Sequence, residues 1–136
     1  MVALARTATI VLCVTLGAFS AGCGSGKDED AEGVPTESIC PNQSTLTYES
    51  FGRAFMESYC TRCHSNTRTG FARGGAPTGH DFDTLSGILL VAEHIDQHAA
   101  AGPAGKNTEM PPSDPKPTDE ERRQLGEWLA CERLRQ

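Results

Sequence analysis

The sequence predicts a small, loop-rich, all-α domain, and three observations predict it. Apolar residues recur at helical spacing in three segments, and no period-two run of β-branched residues occurs in the mature part of the chain. Long glycine- and proline-rich stretches separate the three segments. Loops of that length inside a compact domain usually wrap something. With aromatic residues at 6% of a 136-residue chain, the domain has a thin core of its own. A disulfide, a metal or a large apolar cofactor must supplement it.

The chain opens on a segment that does not belong to that domain. Residues 1–22, MVALARTATIVLCVTLGAFSAG, read as an export signal: Arg6 precedes an apolar run from Ala8 to Phe19, and small residues follow. The run is shorter than the roughly 20 apolar residues of a membrane span. A buried core helix would carry polar residues on one face, and here there are almost none. The signal ends in SAGCGSG, which resembles the bacterial lipobox with Ser20 in place of the usual leucine, and so makes Cys23 a candidate for lipidation. Ordinary signal-peptidase cleavage after Ser20 or Gly22 is the alternative. Both routes take the mature protein out of the cytoplasm, and the first anchors it on the periplasmic side of a bacterial envelope membrane. Residues 23–39 are glycine-rich and acidic with few large apolar groups, so they are expected to form a flexible tether. Residues 40–136 are expected to form the folded domain.

In the first helix Thr47 is the N-cap, Glu49 favours the first turn, and Tyr48, Phe51, Phe55 and Tyr59 share a face. A second helix is expected from Asp83, with Leu85, Ile88, Leu89, Ala92, Ile95 and Ala99 on one face and Gly102-Pro103 as its stop. The third opens with a capping box, Thr118 to Glu121, followed by Leu125, Trp128 and Leu129. Between them run TRTGFARGGAPTG and GPAGKNTEMPPSDPKPT.

Of the six cysteines, Cys13 leaves with the signal and Cys23 is the lipid candidate. If Cys60 and Cys63 act together, Cys40 and Cys131 remain, and in an oxidising compartment such a pair is normally bridged. Two unrelated buried thiols are the alternative. Cys60 and Cys63 belong to YCTRCHS, which admits three chemistries. A thioredoxin-type dithiol opens a helix after a strand, whereas this one follows a helix. A structural zinc site needs four ligands, and adjacent Cys63 and His64 fit one tetrahedron poorly. His94 and His98 could face one way on a helix, but such a pair is more often solvated surface. Covalent haem accounts for every residue: two thiols one helical turn apart add to the two vinyl groups of one porphyrin, and His64 follows beneath the iron.

At this point the sequence resembles the small class I c-type cytochromes, over about residues 45–134. GRAFMESYCTRCH places Gly52 where that family packs its first helix against its last, with Met56 at the family's aromatic position and Phe55 beside it. LGEWL matches the family's last helix, whose aromatic is here Trp128. The resemblance implies a cytochrome c-like fold of about three main helices, with long loops wrapping one covalently bound haem c. It places the Pro77 carbonyl on the proximal imidazole's other N–H, which would fix the ring and raise its basicity. For the sixth ligand, Met1 lies in the signal and Met56 too close to Cys60, which leaves Met110; MPP before the last helix is also the family's distal pattern. The prolines at 111 and 112 would stiffen its loop. His80, His94 and His98 are its rivals, and a gap-filling loop methionine is the alternative role.

A six-coordinate haem suits electron transfer between envelope redox partners, and no catalytic pair elsewhere suggests an enzyme. A haem-based sensor or ligand-binding module, or a haem subunit of a larger oxidoreductase, is the other class. The formal charge is −6 and the chain lacks a basic stripe, which argues against nucleic-acid binding. Arg62, Arg68 and Arg73 make the haem-binding segment locally basic, either as a docking face for an acidic redox partner or as partners of haem propionates. Replacing Cys60 and Cys63 together by serine should abolish covalent haem and most of the fold, because the porphyrin supplies much of the apolar core. Far-ultraviolet circular dichroism and pigment content check this. A well-folded, haem-free variant would overturn it.

Overall fold

A computed structural model describes residues 33–136. The expected signal, Cys23 and most of the expected tether lie outside the described residues. A π-helical turn, Tyr48–Gly52, runs directly into α1, Arg53–Tyr59. A short 3-10 turn covers Gly70–Arg73, and α2 spans Leu85–Leu90, α3 Ala92–Ala99 and α4 Asp119–Arg133. Among the described residues no strand forms, and a single isolated bridge pairs Ala101 with Lys106. None of the helices among them is long and apolar enough to cross a membrane. The domain is all-α, as its periodicity predicts.

Local chemistry explains the element ends. Thr47 accepts from the Ser50 N–H, and Ser50 returns a bond to the Thr47 N–H, so the first turn is closed by a reciprocal cap. Thr118 and Glu121 do the same for α4. The expected second helix is two. Val91, at φ −127° and ψ 27°, leaves the helical region between α2 and α3. The break is silent in the apolar pattern, because Ile88, Ala92, Ile95 and Ala99 reach the core from both sides of it. A β-branched residue gives up helical conformation at little cost.

The core is organised by α4. Trp128 is fully buried, packs 6.4 Å from the Tyr48 ring and 6.1 Å from the Phe51 ring, and lies against Gly52. Its indole N–H donates to the Glu132 carboxylate, which also accepts from the Tyr48 backbone N–H and from Arg135, so this buried acid is fully partnered. At the other end of α1, the Tyr59 hydroxyl donates to Glu121 at 2.8 Å. The start of the first helix therefore meets the end of α4, and its finish meets the start of α4.

A disulfide joins Cys40 to Cys131, with Cα atoms 4.6 Å apart and 91 residues of separation. In the chain-entropy picture a loop of that size contributes roughly 4–5 kcal/mol. The tether expected over residues 23–39 does not extend to residue 39. Thr36 is fully buried and donates its N–H and hydroxyl to the Asp96 carboxylate at 2.9 and 2.6 Å. Asn107 reaches the Val34 carbonyl, and the Ser38 hydroxyl the Ala101 carbonyl. Composition made the segment look unable to order itself; partners from α3 and the following loop supply what its own side chains lack.

A Cβ added at Gly52 would stand 2.2 Å from Trp128 Cζ2. Gly52→Ala should therefore destabilise the domain by at least ~1–3 kcal/mol, as overpacking does. Urea unfolding checks this, and an unchanged midpoint would show that the two helices separate freely.

Candidate functional site

The segment Cys60–His64 is one further turn of chain past α1. The Cys60 N–H bonds the Met56 carbonyl at 2.8 Å, and the Cys60 carbonyl then accepts from Cys63 and His64 at 3.0 and 2.9 Å. That turn sets the two cysteines one helical repeat apart with His64 directly behind. Both thiols are free and half-buried, whereas Cys40 and Cys131 are bridged. Burial pushes the Cys60 thiol up to about 12 against the opposing charges of Arg62 and Arg122, so it stays protonated at neutral pH. Gly74, at φ 58°, lies against Cys63; a Cβ there would sit 3.1 Å from its Sγ.

His64 is held at two points by the loop that leaves it and returns. Its carbonyl accepts from the Phe82 N–H at 2.9 Å, and its ring Nδ1 lies 3.0 Å from the His80 carbonyl oxygen. A carbonyl only accepts, so Nδ1 carries the proton and Nε2 keeps a free lone pair. The Phe82 ring stacks on the imidazole with centroids 4.5 Å apart and planes 5° apart. Burial lowers the His64 pKa, partly opposed by the His80 carbonyl, and the ring is neutral at pH 7.

The expectation that Pro77 would hold this ring is corrected. The Pro77 carbonyl is spent on Arg73 Nη2 at 2.6 Å and on the His80 N–H at 3.3 Å. That turn carries the chain on, so His80 presents its carbonyl instead. Arg73 is also not where a docking face needs it. It is buried, and its guanidinium reaches the carbonyls of Ser65 and Ala76 and the Asp81 carboxylate at 2.8, 3.0 and 2.8 Å. Arg62 bonds the Ser113 and Asp114 carbonyls, and Arg68 the Thr61 carbonyl.

Met110 stands at the far end of a line of contacts that begins at His64. The His80 ring lies 5.0 Å from His94, and His94 lies 4.4 Å from His98. His98 Nδ1 donates to Glu109 at 2.6 Å, and its backbone carbonyl accepts from the Met110 N–H at 2.9 Å. On the other side Arg122 donates to the Met110 carbonyl at 2.8 Å. The Met110 side chain is 41% exposed. No three of the His, Cys, Asp or Glu side chains among the described residues converge on a metal-sized point. Beside the Cys60–His64 turn lies a groove of about 290 Å³ lined by Arg53, Glu57, Ser65, Arg68 and Asp83 among others, too polar a surface for a porphyrin.

The donor set fits covalent haem: two unbridged thiols one turn apart, then a neutral imidazole with one nitrogen engaged and the other free. Sequence reasoning missed Phe82 and Arg122, and it gave His80 and Arg73 other roles. A backbone carbonyl has no letter of its own, and a buried arginine reads as a surface one.

Residues 50–129 match the family model described as cytochrome C oxidase, cbb3-type, subunit III, a span that contains Cys60, Cys63, His64, Met110 and Trp128. No curated protein and no solved structure matches the chain.

Arg73→Gln should cost on the order of 3 kcal/mol, because it strands Asp81 and several carbonyls that only a forked cation reaches together. Arg73→Lys should recover only part of that. Denaturant midpoints of the two variants check this; equal stability of Lys, Gln and parent would show that the guanidinium is dispensable.

Proposed function

The chain belongs to the c-type cytochrome family whose model is described as cytochrome C oxidase, cbb3-type, subunit III, and from that premise we propose that it is a one-haem electron relay in which Cys60 and Cys63 hold the porphyrin and His64 and Met110 bind the iron. Haem-based electron transfer follows from the family. The observation that carries the residue assignment is the pair of free thiols ahead of a ring whose Nδ1 is fixed by the His80 carbonyl. Each thiol would add its S–H across one vinyl double bond, which forms a thioether with no net oxidation or reduction. His64 would present Nε2 without a proton to displace.

Bound haem c supplies reversible one-electron chemistry at its iron. The chain's part is to hold two ligands still. His64 is pinned through its carbonyl and its ring, and Met110 through its N–H and its carbonyl. With His64 and Met110 both holding the iron, no position would be left for substrate, and a thioether ligand would raise the potential. Phe71, in the turn that ends at Gly74 beside Cys63, is a large exposed apolar side chain in a domain with a thin core, and it supports a reading in which a flat apolar group covers it.

The disulfide supports an oxidising compartment, in keeping with export through residues 1–22 and a lipid on Cys23 at the periplasmic side of a bacterial envelope membrane. With Arg73 turned inward, Arg62 and Arg68 are left as the basic groups by which an acidic redox partner would dock. The description of the family as an oxidase subunit favours a second reading, in which the relay is one subunit of a larger oxidoreductase.

Met110→Ala should keep covalent haem, bind carbon monoxide in the ferrous state and show a lowered potential, since the thioether stabilises ferrous iron. Absorption spectra with and without the gas, together with a redox titration, check this. A variant matching the parent in both would take Met110 out of the ligand set and put His80, His94 or His98 in its place.

A further inference from the structure

Arg122 is used by neither the attachment nor the ligand set, yet it is 2% exposed. From α4 its Nη1 donates to the carbonyls of Ala99, Asn107 and Met110 at 2.7, 2.9 and 2.8 Å. Those acceptors are the last residue of α3 and two points in the first part of the loop that runs on to the Thr118 cap of α4. Arg73, the other buried arginine, is paired with Asp81. Arg122 takes part in none of the ion pairs among the described residues. No carboxylate bonds it directly, and Asp119, one turn back on α4, acts on it only through space. A buried cation without a bonded counter-ion is an expensive way to satisfy neutral carbonyls.

We propose that Arg122 is the positioning residue for Met110: it fastens the Met110 carbonyl to α4 so that the thioether is held at the iron, and its unpaired charge favours the ferrous state. The inference rests on the assignment of Met110 as a ligand. The physical grounds are specific to this geometry. The Met110 N–H is already fixed to the His98 carbonyl, so with the Arg122 bond the peptide groups on both sides of the Met110 Cα are tied and the side chain is left to settle. A guanidinium holds its donors in a rigid plane, and its charge strengthens each bond it gives. The same loop is independently secured by Asn107, whose side chain donates to the Val34 and Asp96 carbonyls at 2.7 and 2.9 Å. It is also secured by the Ala101 N–H, which bonds the backbone carbonyl of residue 122. Removal of the guanidinium therefore frees Met110 without dissolving the loop.

The test uses the full-length, haem-loaded protein with Arg122→Gln, Arg122→Lys and, as the reference for a lost ligand, Met110→Ala. Three readouts are taken well below the unfolding temperature: the ferric thioether-to-iron charge-transfer band, carbon monoxide binding by the ferrous form, and the midpoint potential. Arg122→Gln should lose the band from most of its ferric population, gain carbon monoxide binding by about tenfold or more, the factor equivalent to 1.4 kcal/mol, and shift to lower potential. Arg122→Lys should keep more of the potential, because the charge remains, but still lose part of the band. Should the Gln variant fail to fold, the Lys variant decides by the same band. A merely structural role would lower the unfolding temperature and leave all three readouts at parent values. That result, with Met110→Ala changed as expected, overturns the inference while the ligand assignment stands. If Met110→Ala itself keeps the parent band, the ligand assignment fails and this inference falls with it.

Discussion

Everything else in the domain depends on the contact between the Trp128 ring and the bare backbone at Gly52. Sequence neighbours cannot make it, since it joins the two ends of the fold, and it fixes the lateral position of α4. Once Trp128 is seated, the 3.6-residue turn of the helix assigns every other side chain of α4 a direction. Glu121 reaches Tyr59 beside Cys60, Cys131 comes within bridging distance of Cys40, and Gly126 lies against Ser38 of the N-terminal segment. Arg122 falls on the buried face of the same helix and reaches the loop that carries Met110. One close contact thus sets the register of groups that touch three separate parts of the chain.

The second constraint is the backbone. A sheet satisfies its carbonyls in pairs, but this domain has long loops and, among the described residues, only one isolated bridge. Side chains take over that task. Arg73 gathers carbonyls from both limbs of the loop after His64, Arg122 gathers those of Ala99, Asn107 and Met110 across the end of α3 and the loop that follows, and Asn107 ties that second loop to Val34 and Asp96. The side chains that do so are themselves satisfied: no buried side-chain nitrogen or oxygen among the described residues is left without a partner. Loops fastened in this way can be ordered without forming regular structure, and the dense bonding of residues 34–38 shows the same economy at the N-terminal edge.

Local chemistry was legible in the sequence and long-range chemistry was legible only where a residue type is diagnostic. The caps at Thr47 and Thr118 need partners three residues away, so their spacing displays them. The Gly52–Trp128 contact could be read through resemblance, because only glycine admits the ring. The break at Val91 could not be read, since the apolar spacing runs through it unchanged. Neither could the hold on His64: the acceptor is the main chain of His80, and every residue offers the same carbonyl. Pro77 stands close by in sequence, but its own carbonyl is already taken by Arg73. The tether's boundary was misjudged for a related reason. Composition reports what residues 33–39 can bury among themselves, while Thr36 is ordered by Asp96, sixty positions away.

The two buried arginines divide the site between them, and the difference in their charge environment is what gives the arrangement direction. Arg73 clamps the loop on the His64 side, and Asp81 balances its charge, so that side is stiffened with little change in local potential. Arg122 clamps the loop on the Met110 side through carbonyls, with Asp119 acting on it only through space, so stiffening there arrives together with a positive charge that no bonded carboxylate balances. Carbonyl dipoles offset part of its field but cannot cancel a full charge. If His64 and Met110 bind the iron as proposed, stiffness at both would keep rearrangement small in either direction of electron transfer. A fixed cation on one side does something else: it stabilises the reduced state over the oxidised one. Holding still and setting the potential are separate tasks, and under the proposed ligation a single side chain of α4 would perform both on the Met110 side.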